Sequence, residues 1–573
     1  MSAEPTRAGS DATPDHSFDV VVVGSGAGGM LAAICAHDFG NSVVVIEKGD
    51  VYGGTTAISG GAVWVPCNHH IAELGGTDSY DDALAYLKAA TRGMVSEARL
   101  RAYLDSAPQM VRYLETRTRM RYRGMPHYPD YYPDLAGAKD GYRTMDPVPF
   151  DAALLGDEFD RLRPPSPGTL IAGRVAMTAG EAHTMLARER GWKTLIARQF
   201  ARYWLDLRWR RRTRRDRRLT LGNALIGALR ASMMDRKIPL WLNTPLESII
   251  ADARRVTGVI ASQNGAPIRI AANRGVILAA GGFEHNQAMR ETYLPHPTDA
   301  AWTTTPATNT GDAIRAGAQV GAQLALMDMA WWAPTVMVPG REGRRALFVE
   351  RALPGCAIVN RLGRRFIDEA APYSDIVTAM YADQAASGAN LPAWFIFDAT
   401  FRRNYPCGPL LPGMVQSDAS LPKDWADKVY FKADTLDALA NRIGVDAVGL
   451  VDTIRKMNSY AASGVDQEFG KGANPFDRYY GDLNVKPNPC LAPIIKAPFY
   501  ALRIDAGDIG TKGGLLTDEF ARVLREDGQP IAGLYATGNT AASVMGPSYP
   551  GAGSTIGPAM TFGFIAAHHL AGV

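Results

Sequence analysis

Cysteine is scarce, with five residues in 573 spread from Cys35 to Cys490 and no CxxC pair. So sparse and odd a set excludes a disulfide framework and a structural zinc site, and no metal centre is predicted. Long hydrophobic runs are also missing. No segment approaches the ~18 consecutive apolar residues of a membrane-crossing helix. The polar opening MSAEPTRAGSDATPDHSFD lacks the apolar core of a secretory signal. A reducing, cytoplasmic setting is therefore the expectation. No internal repeat or low-complexity run is visible.

What is present is ordinary globular composition, 46% hydrophobic and 21% charged, which excludes a disordered polymer or a membrane bundle. The length suits two to four domains. Glycine is plentiful, 58 residues, as many tight turns or close backbone approaches to a ligand would require. The net charge of +3 conceals an asymmetry. Residues 188–218 hold thirteen Arg/Lys against three Asp/Glu, a local +10, so the remainder carries −7.

Asp19–Val23 (DVVVV) reads as a short buried strand, followed at once by Gly24-Ser25-Gly26-Ala27-Gly28-Gly29 and an apolar helix. A second strand, Ser42–Ile46, ends at Glu47 and Lys48. In such a βαβ unit Gly24 permits the tight turn and Gly26 lets backbone approach a pyrophosphate. Gly29 allows helix-on-strand packing, and the helix N-terminus faces the phosphates. Glu47 is placed to accept ribose hydroxyls and disfavours a 2′-phosphate. The alternative, a glycine turn without a nucleotide, is weakened by the strand, helix and acid around it. A second glycine-rich loop follows, Gly53-Gly54-Thr55-Thr56 and Ser59-Gly60-Gly61, where a simple NAD domain would start another helix. Strand-like RGVILAAGGF (274–283, with Ala280 and Gly281) and GLYATGN (533–539, with Gly538 and Asn539) complete a chain that returns repeatedly to one cofactor.

Together these motifs and the terminal GPSYPGAGSTIGPAMTF (546–562) resemble flavoproteins of the fumarate-reductase/3-ketosteroid-dehydrogenase superfamily, and specifically the Δ1-dehydrogenase branch. The resemblance covers nearly the whole chain except the basic segment. It implies FAD, non-covalently held since no motif for a covalent link is evident, and further contacts at Ser554, Thr555 and Ile556, where a closing helix begins. It implies 1,2-desaturation of a 3-ketosteroid, with a quinone or redox protein as electron acceptor. Tyr549 and Gly553, in the pattern Tyr-Pro-Gly-x-Gly, would polarise the C3 carbonyl. Tyr373, ending FIDEAAPY (366–373), would be the base. Tyr131, in YPDYYP (128–133), would support it, with Tyr132 the adjacent alternative. Gly551, where the Δ4-(5α)-dehydrogenases place serine, favours Δ1 chemistry. Gly510-Thr511-Lys512-Gly513-Gly514 lacks the histidine of fumarate reductases, although Lys512 could hold a carboxylate. A Δ4-(5α)-dehydrogenase and a fumarate-reductase-like alkene reductase remain the alternative readings, beside a flavin binder without steroid activity.

The implied fold class is α/β: a Rossmann-like FAD-binding domain split in sequence (residues 1–300, with a tail over 1–18, and 496–573) around an inserted α+β catalytic domain (301–495). Asn309–Asp312 reads as the cap of a helix within that insert. In the basic segment, apolar residues recur from Trp192 at helical spacing, with Arg198 and Arg202 opposite. Trp192, Trp204 and Trp209 among arginines suit a peripheral membrane contact. Packing on the body with solvated arginines is an equal reading. Nucleic-acid binding is disfavoured because no recognition fold accompanies the charge.

Overall fold

The computed structural model describes residues 13–340 and 343–572. Four consecutive valines, Val20–Val23, are all buried, so the strand His16–Val23 lacks the polar face of a surface strand and lies inside a parallel sheet. It pairs in parallel with Val43–Ile46 on one side and Ala266–Leu278 on the other. Ala266–Leu278 forks the sheet. Its first half pairs antiparallel with Val256–Gln263, and its end pairs parallel with Pro530–Ala536. The eight-stranded sheet is thus completed from the C-terminal part of the chain. The terminal helix Ile556–Ala571 crosses Ala27–Asp38 at two glycines. A Cβ on Gly28 would lie 2.6 Å from the Ala559 oxygen, and one on Gly563 2.6 Å from the Gly28 oxygen. Helix Glu97–Arg117 packs on the outer side of the terminal helix.

The inserted sheet has the strand order Gly343–Ala346, Ala330–Val338, Phe499–Thr511, Ala393–Phe397, Cys356–Val359, with Phe431–Ala433 also on Phe499–Thr511. All its pairings are antiparallel. The expected boundary at 496 therefore moves. Phe499–Thr511 is the central strand of the insert, and the chain rejoins the FAD sheet at Arg522. The strand was hard to read because Asp505 and Asp508 interrupt its apolar pattern. Both are buried and paired, with Arg344 at 2.5 Å and Arg290 at 2.7 Å. At the other boundary, helix Asp312–Gln319 packs on strand Leu246–Ala251 of the FAD sheet, so residues just after 301 still belong to that domain.

Two further expectations need correction. The tail ends earlier than residue 18, because Ser17 and Phe18 pair with Ala271 and Ala272 and Phe18 meets Trp241 edge-on; residues 1–12 lie outside the described residues. In the basic segment the helices are Trp192–Leu205 and Leu207–Arg212. Trp209 is buried against Phe159 with its indole N–H on the Arg215 carbonyl, so it cannot contact a membrane. Arg202, expected on the solvated face, is tied to Asp216 at 2.9 Å. Arg217 and Arg218 likewise pair with Asp151 and Glu181. The arginines hold this segment onto the body, while Trp204, Leu205 and Leu207 stay 53%, 76% and 65% exposed.

Candidate active site

One cavity of about 760 Å³ runs from the glycine-rich turn to the insert. At its first end the glycines divide by task. Gly24 (φ +106°) and Gly29 are demanded by packing, since a Cβ would sit 2.3 Å from the Ala279 oxygen or 2.2 Å from the Gly24 oxygen. Gly26 is different. A Cβ there would meet nothing nearer than Thr56 Oγ1 at 3.7 Å, so its backbone faces open cavity at the start of helix Ala27–Asp38. That is the cradle a pyrophosphate needs. Glu47 is held by the Ser25 hydroxyl and the N–H groups of Ser25 and Gly49, leaving lone pairs towards the cavity. Lys48 turns to Thr310 and Asp312, at 2.6 and 2.7 Å. Sequence reasoning missed Arg163, which lies on the cavity wall near Glu47 with its buried Nε unpartnered. The donor set thus fits a dinucleotide.

Thr55, Thr56, Ser59, Gly60, Gly61, Ala280, Gly281, Gly538, Asn539, Thr555 and Ile556 also reach the cavity. Gly53 and Ser554 do not line it. Gly53 (φ +109°) donates its N–H to Ser25 Oγ and packs against Ile226. Ser554 is fully buried and closes the turn after Pro550 by bonding to Gly551. The terminal helix begins at Ile556 with its N-terminus on the cavity, as a stabiliser of negative charge there must be placed.

At the other end, three tyrosines from distant parts of the chain converge. Tyr131 stacks on Tyr549 (centroids 5.4 Å, 17°), and Tyr373 stands edge-on to both, at 5.8 and 5.0 Å. All three are buried. The Gly553 N–H and the Thr555 hydroxyl point at the Tyr549 oxygen, the latter at 3.3 Å, so Tyr549 and Gly553 share one spot. Burial raises the phenolic pKa of each tyrosine above the ordinary value. Relief reaches Tyr131 from hydrogen bonds of Tyr128 and Tyr373 and from the Arg351 charge. Arg351 is itself buried, donating to the carbonyls of Leu347, Phe348, Glu369 and Ala371, the last two on the turn leading to Tyr373.

Of the two adjacent candidates, Tyr131 lines the cavity and Tyr132 does not. Tyr132 instead links Asp375, to which it donates at 3.1 Å, with the Tyr549 N–H, which it accepts at 3.2 Å. Lys512 is not a carboxylate clamp. It is buried behind Trp331 (4.4 Å to the ring) and donates to the carbonyls of Gly546 and Ser548. Gly553 (φ +100°) is needed for a reason other than ligand access, since a Cβ would lie 2.5 Å from the Ala62 oxygen and Val63 Cα. Gly551 is equally constrained, with a Cβ 2.2 Å from Trp64 Cδ1. A serine there is incompatible with this Trp64.

The FAD binding domain family matches residues 19–556. The chain is 42% identical to a 3-oxosteroid 1-dehydrogenase of Comamonas testosteroni over 97% of each chain. It is 40% identical to one of Mycobacterium tuberculosis, covering 97% of this chain and 98% of that one. A solved 3-ketosteroid Δ1-dehydrogenase from Sterolibacterium denitrificans, in complex with 1,4-androstadiene-3,17-dione, is 58% identical. It superposes with a TM-score of 0.95 over 97% of this chain and 100% of that one. The chain belongs to the FAD-dependent 3-oxosteroid 1-dehydrogenases. Its cofactor is FAD. The insert contributes Tyr373 to the cavity wall, and the two parts of the FAD domain contribute Tyr131 and Tyr549. Sequence reasoning missed the aromatic side chains around these phenols on the cavity wall, Phe348 against Tyr373, Phe476 against Tyr131, and Tyr479 and Tyr480; the adjacent tyrosines 479 and 480 were the available signal.

Proposed function

We propose that the enzyme desaturates 3-ketosteroids between C1 and C2, with Tyr549 and Gly553 holding the C3 oxygen, Tyr373 removing the C2 proton and Tyr131 supporting Tyr373. The convergence of Tyr131, Tyr373 and Tyr549 on one buried spot beside the flavin end of the cavity carries this reading. When bound, FAD supplies the hydride acceptor. The Tyr549 hydroxyl and the Gly553 N–H act as an oxyanion hole, stabilising charge that develops on the carbonyl oxygen and acidifying C2. Tyr373, buried among rings and away from water, takes the proton, and the flat aromatic walls orient a flat substrate. Lys512, bonded to carbonyls on either side of Pro547, fixes the loop that carries Tyr549.

The dicarboxylate alternative loses its support with Lys512 turned away from the cavity, and the Δ4 alternative with Gly551 against Trp64. The test is anaerobic addition of androst-4-ene-3,17-dione to the yellow holoenzyme, with succinate as control. Flavin bleaching by the steroid together with a 1,4-diene product is expected; bleaching by succinate alone overturns the reading. A quinone or redox protein would serve as the electron acceptor. For a lipid-soluble substrate we also propose peripheral membrane contact through Trp204, Leu205 and Leu207, rimmed by exposed Arg208 and Arg211. Co-sedimentation with anionic vesicles at low salt, lost when the three apolar residues become serine, is the expected result; no sedimentation of the wild type refutes it.

A further inference from the structure

Outside the long cavity, His69 and His70 open the short helix His70–Glu73, and Glu115 reaches them from helix Glu97–Arg117. The two imidazole rings lie 4.2 Å apart between centroids, tilted by 34°. Glu115 meets both. His69 Nε2 is 2.8 Å from one of its carboxylate oxygens and His70 Nε2 is 3.1 Å from the other. The second nitrogen of each ring is left for another partner. His70 Nδ1 is 2.7 Å from Glu73 Oε2, one helical turn on. His69 Nδ1 is buried without a hydrogen-bond partner. One ligand atom from each of His69, His70 and Glu73 lies within 4.8 Å of the other two.

This arrangement is one cation short. A neutral imidazole carries one N–H and one lone pair. With both Nε2 hydrogens donated to Glu115, the Nδ1 lone pairs remain, and that of His70 faces a carboxylate oxygen, acceptor against acceptor. An added proton on His70 would satisfy that contact but leave His69 Nδ1 orphaned. A metal ion satisfies both. Tetrahedral zinc, with bonds of about 2.0–2.1 Å, holds its ligand atoms about 3.3 Å apart. His70 Nδ1 and Glu73 Oε2 would part by about 0.6 Å, which the Glu73 side chain, 61% exposed, can accommodate. Glu115 has the place of the carboxylate that fixes the tautomer and orientation of metal-bound histidines. It is held in turn by the Tyr122 N–H, which donates to its Oε1 at 2.9 Å. Two carboxylates beside two neutral imidazoles carry the charge that a divalent ion cancels.

We propose that His69 Nδ1, His70 Nδ1 and Glu73 bind one divalent zinc-like ion, oriented by Glu115 and separate from the desaturation site. The scarcity of cysteine excludes a thiolate centre, but imidazole with carboxylate suits zinc and its first-row neighbours, and does not suit magnesium or calcium. Three protein ligands leave a fourth position to water. The ion ties the segment that leaves strand Val63–Trp64 to helix Glu97–Arg117, and by binding the folded chain it stabilises it.

The test uses tag-free, FAD-loaded enzyme, stripped of metal with a chelator and dialysed against micromolar zinc. One zinc per chain is expected in the wild type, and no magnesium from a parallel bath. Glu115→Gln should weaken zinc binding by about 10–100-fold, and His69→Gln and Glu73→Gln by at least as much. His127→Gln, at an exposed histidine outside the cluster, should bind as the wild type does. X-ray absorption at the zinc edge should show nitrogen and oxygen at about 2.0–2.1 Å and no sulfur at about 2.3 Å. Zinc should also raise the melting temperature of the wild type and leave that of Glu73→Gln unchanged. Because the Glu73 side chain is exposed, this variant folds whatever becomes of the others. A wild type that retains no zinc, an unchanged affinity in His69→Gln and Glu73→Gln, or a sulfur ligand overturns the proposal.

Discussion

Adding one methyl group at Gly551 should disable the site from behind. The Cβ of Gly551→Ala would lie 2.2 Å from Trp64 Cδ1 and 2.5 Å from Nε1, whereas ordinary contact begins at 3.4 Å. The indole would have to retreat by about 1.2 Å, the difference between those contacts. It has little room to do so, being fully buried, stacked parallel to Tyr103 and beneath the Arg143 guanidinium. Its Nε1 donates to Asp130 at 2.7 Å, and Asp130 is in turn paired with Arg143. Overpacking costs about 1–3 kcal/mol, and a lost buried hydrogen bond about 1–3 kcal/mol more. Asp130 immediately precedes Tyr131, so the displacement is passed to the stacked phenols. A misplacement of ~1 Å near the chemistry is worth ~10²-fold in rate. The expected variant keeps its flavin, melts a few degrees lower and desaturates about a hundredfold more slowly. Thermal melting, flavin absorbance and steady-state turnover measure the three. Gly551→Ala/Trp64→Phe, with a smaller ring, should recover only the overpacking part of the loss, since phenylalanine cannot restore the hydrogen bond to Asp130. A single variant with unchanged melting and kcat within about twofold would show that Trp64 is free to move, and the reasoning would fail.

Tyr549→Phe removes one of the two donors proposed for the carbonyl oxygen and should lower kcat by about 10²–10³-fold, with steroid product still binding; a loss within threefold assigns the polarising role elsewhere. Burial pushes the Lys512 ammonium down to about 7. Its folded pKa lies below the ordinary ~10.4, so the unfolded chain binds more protons between those values, and the Lys512 contribution to stability rises with pH across that window, by up to about 1.4 kcal/mol per unit. Lys512→Met should flatten that rise in denaturant unfolding; an equal slope in both proteins refutes it. Acid precipitation should leave the flavin in the supernatant, as non-covalent binding requires, and a yellow pellet would contradict it.

Local chemistry was legible in the chain itself. Val20–Val23 with the glycines after them could hardly be anything but a buried strand entering a phosphate turn, because strand, turn and helix requirements all act within some thirty residues. The same locality made the terminal Tyr549–Ile556 motif readable. What lies between distant residues was decided by tertiary packing. Phe499–Thr511 became the centre of the insert's sheet because Arg290 and Arg344 neutralise its two buried aspartates, partners that no local pattern reveals. Trp209 turned inward on Phe159 although helical spacing and neighbouring arginines suggested the surface. Tyr131 rather than Tyr132 faces the cavity, because Asp375 and the Tyr549 backbone claim the other hydroxyl. Gly551 and Gly553 are glycines because of Trp64 and Ala62–Val63, nearly five hundred positions away. Sequence determines what a segment can form, since propensity and turn chemistry act between neighbours. Which hydroxyl meets which carbonyl across the molecule is fixed only when the two parts of the FAD domain and the insert close on one another.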